Sequence, residues 1–127
     1  IALGSGGFVI NGACASDAIG QSVAAAGDIN GDGLSDLLIG ASDNGNHTGA
    51  NRAYVVYGKT GGSAIELSAV DGGNGGFAML GSTNHESAGY SVSSAGDVNG
   101  DGIADLMVGA FYADPPMWSL VPPIKVR

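Results

Sequence analysis

The sequence predicts an all-β fold built from a repeated unit of four short antiparallel strands. Three observations predict it. The chain repeats itself at a fixed offset, its apolar runs are of strand length, and clusters of Gly, Asn, Asp and Ser separate them. Glycine supplies 24 of the 127 residues and proline only 4, which implies many tight turns and no long helix.

The repeat carries position 6 onto position 75 and continues in step. Gly6-Gly7-Phe8 returns as Gly75-Gly76-Phe77, and Ala26-Gly27-Asp28 as Ala95-Gly96-Asp97. Asn30-Gly31-Asp32-Gly33 returns as Asn99-Gly100-Asp101-Gly102, Asp36-Leu37 as Asp105-Leu106, and Gly40-Ala41 as Gly109-Ala110. No gap is needed, and 18 of the 36 positions from 6 to 41 are identical to those from 75 to 110. Repeats of this size are supersecondary units that stack to bury a shared core.

Within one unit the strands read in order. Ser22–Ala26 contains nothing larger than Val, so it is assigned to the innermost strand, beside a crowded central axis. Asp36–Gly40, Asp-Leu-Leu-Ile-Gly, is too short for a helix and forms the second strand. Ala53–Tyr57, aromatic and β-branched, is the third, and Gly76–Leu80 the outer one. Four sequential antiparallel strands describe a β-propeller blade. The chain then holds about two blades, a partial propeller. Residues 1–12 carry the outer strand of a preceding blade, at Phe8–Ile10. Residues 20–81 form one complete blade, and 89–114 begin the next. Residues 115–127 are an atypical tail holding all four prolines. One hypothesis for the tail is a shift of reading frame: read two bases later, codons for Leu120–Ile124 could encode Gly-Ala-Ser-Tyr, echoing Gly49-Ala50 and Tyr54, and in-frame relatives sharing the tail would reject it.

The net charge of −8, from 4 Lys and Arg against 12 Asp and Glu, argues against a nucleic-acid partner, which needs a basic surface. Cys14 is the only cysteine, so no intrachain disulfide forms, and it reads as a small apolar residue. No apolar run approaches the ~18 residues of a membrane span. The chain begins at Ile rather than Met and shows no signal peptide, and it is read as a processed or excised piece.

The chemistry is concentrated in two loops. Asp28, Asn30, Asp32 and Asp36 form Asp-x-Asn-x-Asp-Gly-x-x-Asp, and Asp97, Asn99, Asp101 and Asp105 repeat it. Calcium takes 6–8 oxygen ligands. Positions 1, 3, 5 and 9 supply side-chain oxygens, and position 7, Leu34 or Ile103, offers its carbonyl. Three carboxylates this close repel one another unless a cation lies between them. An Asx-rich hairpin turn without metal is the plain alternative, and recurrence at the same repeat position favours the metal. An EF-hand is excluded: it needs a Glu at position 12 and flanking helices, whereas Ile39 and Val108 stand there. The expectation is two Ca2+ per chain.

With its calcium loop followed by Asp-Leu-x-x-Gly-Ala, the unit resembles the FG-GAP repeat of integrin α-subunit propellers and of many bacterial extracellular proteins. The usual Phe-Gly is Ile19-Gly20 and Ala88-Gly89 here, and the usual Gly-Ala-Pro is Gly40-Ala41-Ser42 and Gly109-Ala110-Phe111. The resemblance implies calcium held beneath a propeller, in the loop joining the inner strand to the second.

His47 and His85 have neither Cys nor a spaced second His for zinc and read as solvated loop residues. Asp17 and Glu86, at equivalent positions, read as structural acids. Asn46-His47-Thr48 fits a glycosylation sequon. Tyr54, Tyr57 and Trp118 are assigned to packing between blades. No nucleophile–base pair or phosphate loop is evident. The expected function is therefore non-enzymatic: a calcium-binding extracellular module for adhesion, ligand binding or scaffolding. An ancillary propeller of a larger extracellular hydrolase or lipase, and a sugar-binding propeller, stay open as alternatives. Alternate loops share a face, so a protein or glycan partner is expected opposite the metal, at Asn46, His47, Arg52, His85 and Glu86. Two blades cannot close a ring, so copies are expected to assemble head to tail, with Trp118–Val121 standing in for the missing third strand of the second unit.

Overall fold

The computed structural model describes residues 7–12, 18–41, 52–80, 89–111 and 120–126. Cys14, Asp17 and Trp118 lie outside them. A four-stranded antiparallel sheet has the order β2 (Ile19–Gly27), β3 (Asp36–Ala41), β4 (Arg52–Val56) and β6 (Gly76–Leu80). The expected inner, second, third and outer strands are thus found in that order. The next unit forms a three-stranded sheet from β7 (Ser91–Gly96), β8 (Asp105–Phe111) and β9 (Leu120–Val126). Among the described residues the sheets do not close into a ring.

Three features differ from the sequence reading. The tail does supply the missing third strand of the second unit, but as β9 over Leu120–Val126 rather than over Trp118–Val121. Its register with β8 shifts between Val108 and Ala110, opposite Pro122 and Pro123, the residues that have no N–H to give the ladder. Second, the N-terminal strand falls at β1 (Ile10–Asn11) and pairs in parallel with β5 (Ile65–Glu66). Third, one turn of helix, α1 (Leu67–Asp71), follows β5.

Side-chain alternation sorts the core into two layers. Leu38, Ala53 and Val55 face the second unit and are buried with Ala26, Leu106 and Val108; Tyr57, Phe77 and Met79 pack at the edge of this cluster. On the other face, Ile39, Ala41, Tyr54 and Val56 are buried under Leu67 and Val70 of α1, with Ile10 and Ile65 against them. Tyr57 therefore packs between the units as expected, its ring edge-on to Phe77 with centroids 6.4 Å apart. Tyr54 is buried on the opposite face, in the cluster formed with Leu67 and Val70 of α1 and flanked by Ile10 of β1. Burial on both faces explains why β3 and β4 read as continuous apolar runs rather than alternating ones.

The inner strands of the two units meet at backbone level. Ser22 Oγ donates to the Gly89 carbonyl at 3.2 Å. A Cβ on Gly40 would overlap that same carbonyl and Ser22 Oγ, whereas on Gly109, its repeat mate, it would overlap only Ser91 Oγ. A hydroxyl can rotate away; a carbonyl at the junction moves only with its chain. Gly40→Ala is expected to destabilise by about 3 kcal/mol and Gly109→Ala by about 1 kcal/mol, measured by urea unfolding. Equal losses would contradict this account of the junction.

Candidate metal loops

Each loop begins at an irregularity in the ladder. The β2–β3 register shifts between Ala25 and Gly27, and the β7–β8 register between Ser94 and Gly96. A bulge adds twist and re-aims the chain, and Asp28 and Asp97 follow it directly.

The exposed Asp28 carboxylate is wrapped by the loop it opens. Its Oδ1 accepts the N–H groups of Gly31 (2.8 Å) and Asp32 (3.0 Å), and its Oδ2 that of Gly33 (2.8 Å). Asn30 Oδ1 accepts from the same Asp32 N–H at 3.3 Å, so the side-chain oxygens of positions 1 and 3 converge on one donor. Asp32 Oδ1 accepts from Leu34 N at 2.8 Å. Gly33 sits at φ +85°, a conformation costly for any residue with a Cβ.

The second loop repeats this bond for bond. Asp97 accepts from Gly100 (2.8 Å), Asp101 (3.1 Å) and Gly102 (2.7 Å). Asn99 Oδ1 accepts from Asp101 N at 3.3 Å, and Asp101 Oδ1 from Ile103 N at 3.0 Å. The Gly102 N–H above all, with those of Gly100 and Asp101, holds the Asp97 carboxyl below its ordinary range, since each bond favours the charged form.

Position 9 differs in kind. Asp36 and Asp105 open β3 and β8 and are fully buried. Asp36 Oδ2 accepts from Ile29 N at 2.7 Å and Oδ1 from Gly58 N at 2.8 Å. Asp105 Oδ2 accepts from Val98 N at 2.8 Å. The buried acid thus ties the start of its own loop to its strand and, in the first unit, to the end of β4. Gly58 was not legible as a partner: it lies beyond β4 in the chain and carries no side chain to signal a role.

These acids and amides are gathered in two loops, but their carboxylates are turned onto backbone N–H groups. Among the described residues, no three His, Cys, Asp or Glu side chains converge closely enough to hold a metal ion. The donor set still fits a hard cation, because every side-chain ligand offered is an oxygen. An ionised carboxylate has about four acceptor positions, so the N–H bonds do not exhaust them. Of the expected partner residues, Arg52 begins β4 and pairs with Asp71 at 2.8 Å. It stands opposite Ala41, at the end of the sheet away from Asp36. Asn46, His47, His85 and Glu86 lie outside the described residues.

The FG-GAP repeat family matches residues 19–56 and 88–115, the segments that hold both loops. The chain belongs to the FG-GAP repeat family. It is 36% identical over 107 residues to integrin alpha pat-2 of Caenorhabditis elegans, and 34% identical over 101 residues to integrin alpha-2 of Bos taurus. These alignments cover 83% and 79% of this chain but 8% of each relative. No solved structure matches. No helix among the described residues is long and apolar enough to cross a membrane.

Proposed function

We propose that this FG-GAP chain is part of a calcium-stabilised, non-enzymatic β-propeller module of an extracellular or cell-surface protein, serving adhesion, ligand binding or scaffolding. One observation carries the reading: two loops at equivalent places in the repeat wrap the same acids and amides with a shared set of backbone bonds. Asp28, Asn30, Asp32 and Asp36 with the Leu34 carbonyl would hold one Ca2+, and Asp97, Asn99, Asp101 and Asp105 with the Ile103 carbonyl the other. The ion supplies the positive charge that three neighbouring carboxylates lack. The protein's part is to preset the loop: the bulge aims position 1, the glycine at position 6 turns the chain, and buried position 9 fixes the far end.

Extracellular placement is supported by the integrin alpha relatives and by calcium supply, since weak loops fill only where calcium is near millimolar. In this reading a protein or glycan partner docks at the end of the blade opposite the loops, around Asn46, His47, Arg52, His85 and Glu86. The outer faces of the two units are covered by further units, from the same polypeptide or from copies docked head to tail.

Calorimetric titration tests the metal assignment. CaCl2 is expected to give saturable heat, and MgCl2 to bind roughly tenfold more weakly or worse, because Mg2+ gives up its waters reluctantly. No saturable heat with calcium would reject the reading.

A further inference from the structure

The pairing of β1 with β5 has a counterpart in the repeat. By the offset that carries position 6 onto 75, Val9, Ile10 and Asn11 correspond to Ala78, Met79 and Leu80 of β6. At the first position the structure shows what this segment does: the Val9 carbonyl accepts the Ile65 N–H at 2.8 Å, and Ile10 and Asn11 lie beside Ile65 and Glu66 in a parallel ladder.

Strand β6 has the same groups aimed outward. Tyr57 N donates to the Gly75 carbonyl at 2.9 Å. An antiparallel ladder alternates bonded and non-bonded pairs, so from Tyr57–Gly75 the bonded pairs continue at Val55–Phe77 and Ala53–Met79. Gly76, Ala78 and Leu80 therefore direct their backbone groups away from β4. The Ala78 carbonyl and Leu80 N–H stand where the Val9 carbonyl and Asn11 N–H stand in the first unit. Among the described residues no strand pairs with this edge of β6, and Leu80 is 63% exposed.

The apolar packing corresponds as well. Ile10 packs with Ile65 against the cluster on the α1 face of the first sheet, and Met79 packs against the cluster between the two units. A strand laid along β6 would therefore extend an interface already formed.

We propose that the outer edge of β6, Ala78–Leu80, is a docking site for an extended segment of the Ile65–Glu66 type, supplied by the FG-GAP unit that follows. It would bind by parallel β-addition. Its apolar residue would donate its N–H to the Ala78 carbonyl and lie over Met79, and its own carbonyl would take the Leu80 N–H. Each unit would then be tied to the next by an outer ladder as well as by the packing of its inner strands. The side-chain bond from Asn11 Nδ2 to Glu66 Oε1, 2.8 Å, is not reproduced, since Leu80 replaces Asn11; backbone and apolar contacts carry this second docking.

The test is titration of 15N-labelled chain with a synthetic peptide spanning Gly62–Asn74. Shifts of the Ala78, Met79 and Leu80 amides that saturate at millimolar peptide, with slower hydrogen exchange at Leu80, are expected. Leu80→Pro removes only an outward N–H, and should weaken binding roughly tenfold. A peptide methylated on its Ile65 nitrogen should bind as poorly, which keeps the test sound if the proline chain fails to fold. The proposal is overturned by shifts confined to β1, by no shift on β6, or by undiminished binding of the methylated peptide.

Discussion

Asp36→Ala, measured in chelator so that no metal intervenes, is expected to lower stability by about 3 kcal/mol or more. The carboxylate is fully buried and accepts two backbone N–H groups, Ile29 and Gly58. A hydrogen bond to a charged group contributes about 1.5–3 kcal/mol, and alanine leaves both donors unsatisfied in the interior. Against a typical total of about 5–15 kcal/mol this is a large fraction. Asp28→Ala removes three N–H bonds but at an exposed site, where water replaces the carboxylate. It should cost about 1 kcal/mol, as loss of a capping side chain does. Urea unfolding of the two variants checks the contrast, and equal losses would show that burial of Asp36 is not what makes it structural.

Calcium is expected to have a comparable effect in the opposite direction. At ~100 times its dissociation constant a ligand adds about 2.7 kcal/mol per site, or roughly 5 kcal/mol for two. For a chain of this size that raises Tm on the order of 10–20 °C. Scanning calorimetry in millimolar calcium and then in chelator measures the difference. An unchanged Tm would remove calcium from the account of stability.

The sequence was informative where a local rule determines the structure. The order of the four blade strands follows from short apolar runs bounded by turn residues. The loops follow from spacing, because closely spaced Asp and Asn side chains bond to nearby backbone N–H groups and glycine tolerates positive φ at the turn. Elements that rest on long-range contacts were not legible. Helix α1 has five residues, no side-chain cap and no acid in its first turn; it is held by burying Leu67 and Val70 under Tyr54 and Val56. The β1–β5 ladder is only two pairs long, and it joins segments with three strands of the blade between them in the chain. For strand β9 only the start, within Trp118–Val121, was legible; two adjacent prolines argue against its continuation, yet a register shift accommodates them at the edge of the sheet. In the loops, the residue types were legible but their present partners were not: the carboxylates are satisfied by backbone N–H groups, which composition does not reveal.

The proposed assignment of one calcium ion to each repeated loop rests on both loops alike. Its most direct test is metal content after equilibrium dialysis against millimolar calcium, by elemental analysis, for the parent chain, Asp28→Ala, Asp97→Ala and the double variant. The account predicts two ions per chain, then one, one and none. Two ions retained by the double variant, or none bound by the folded parent chain, would contradict it.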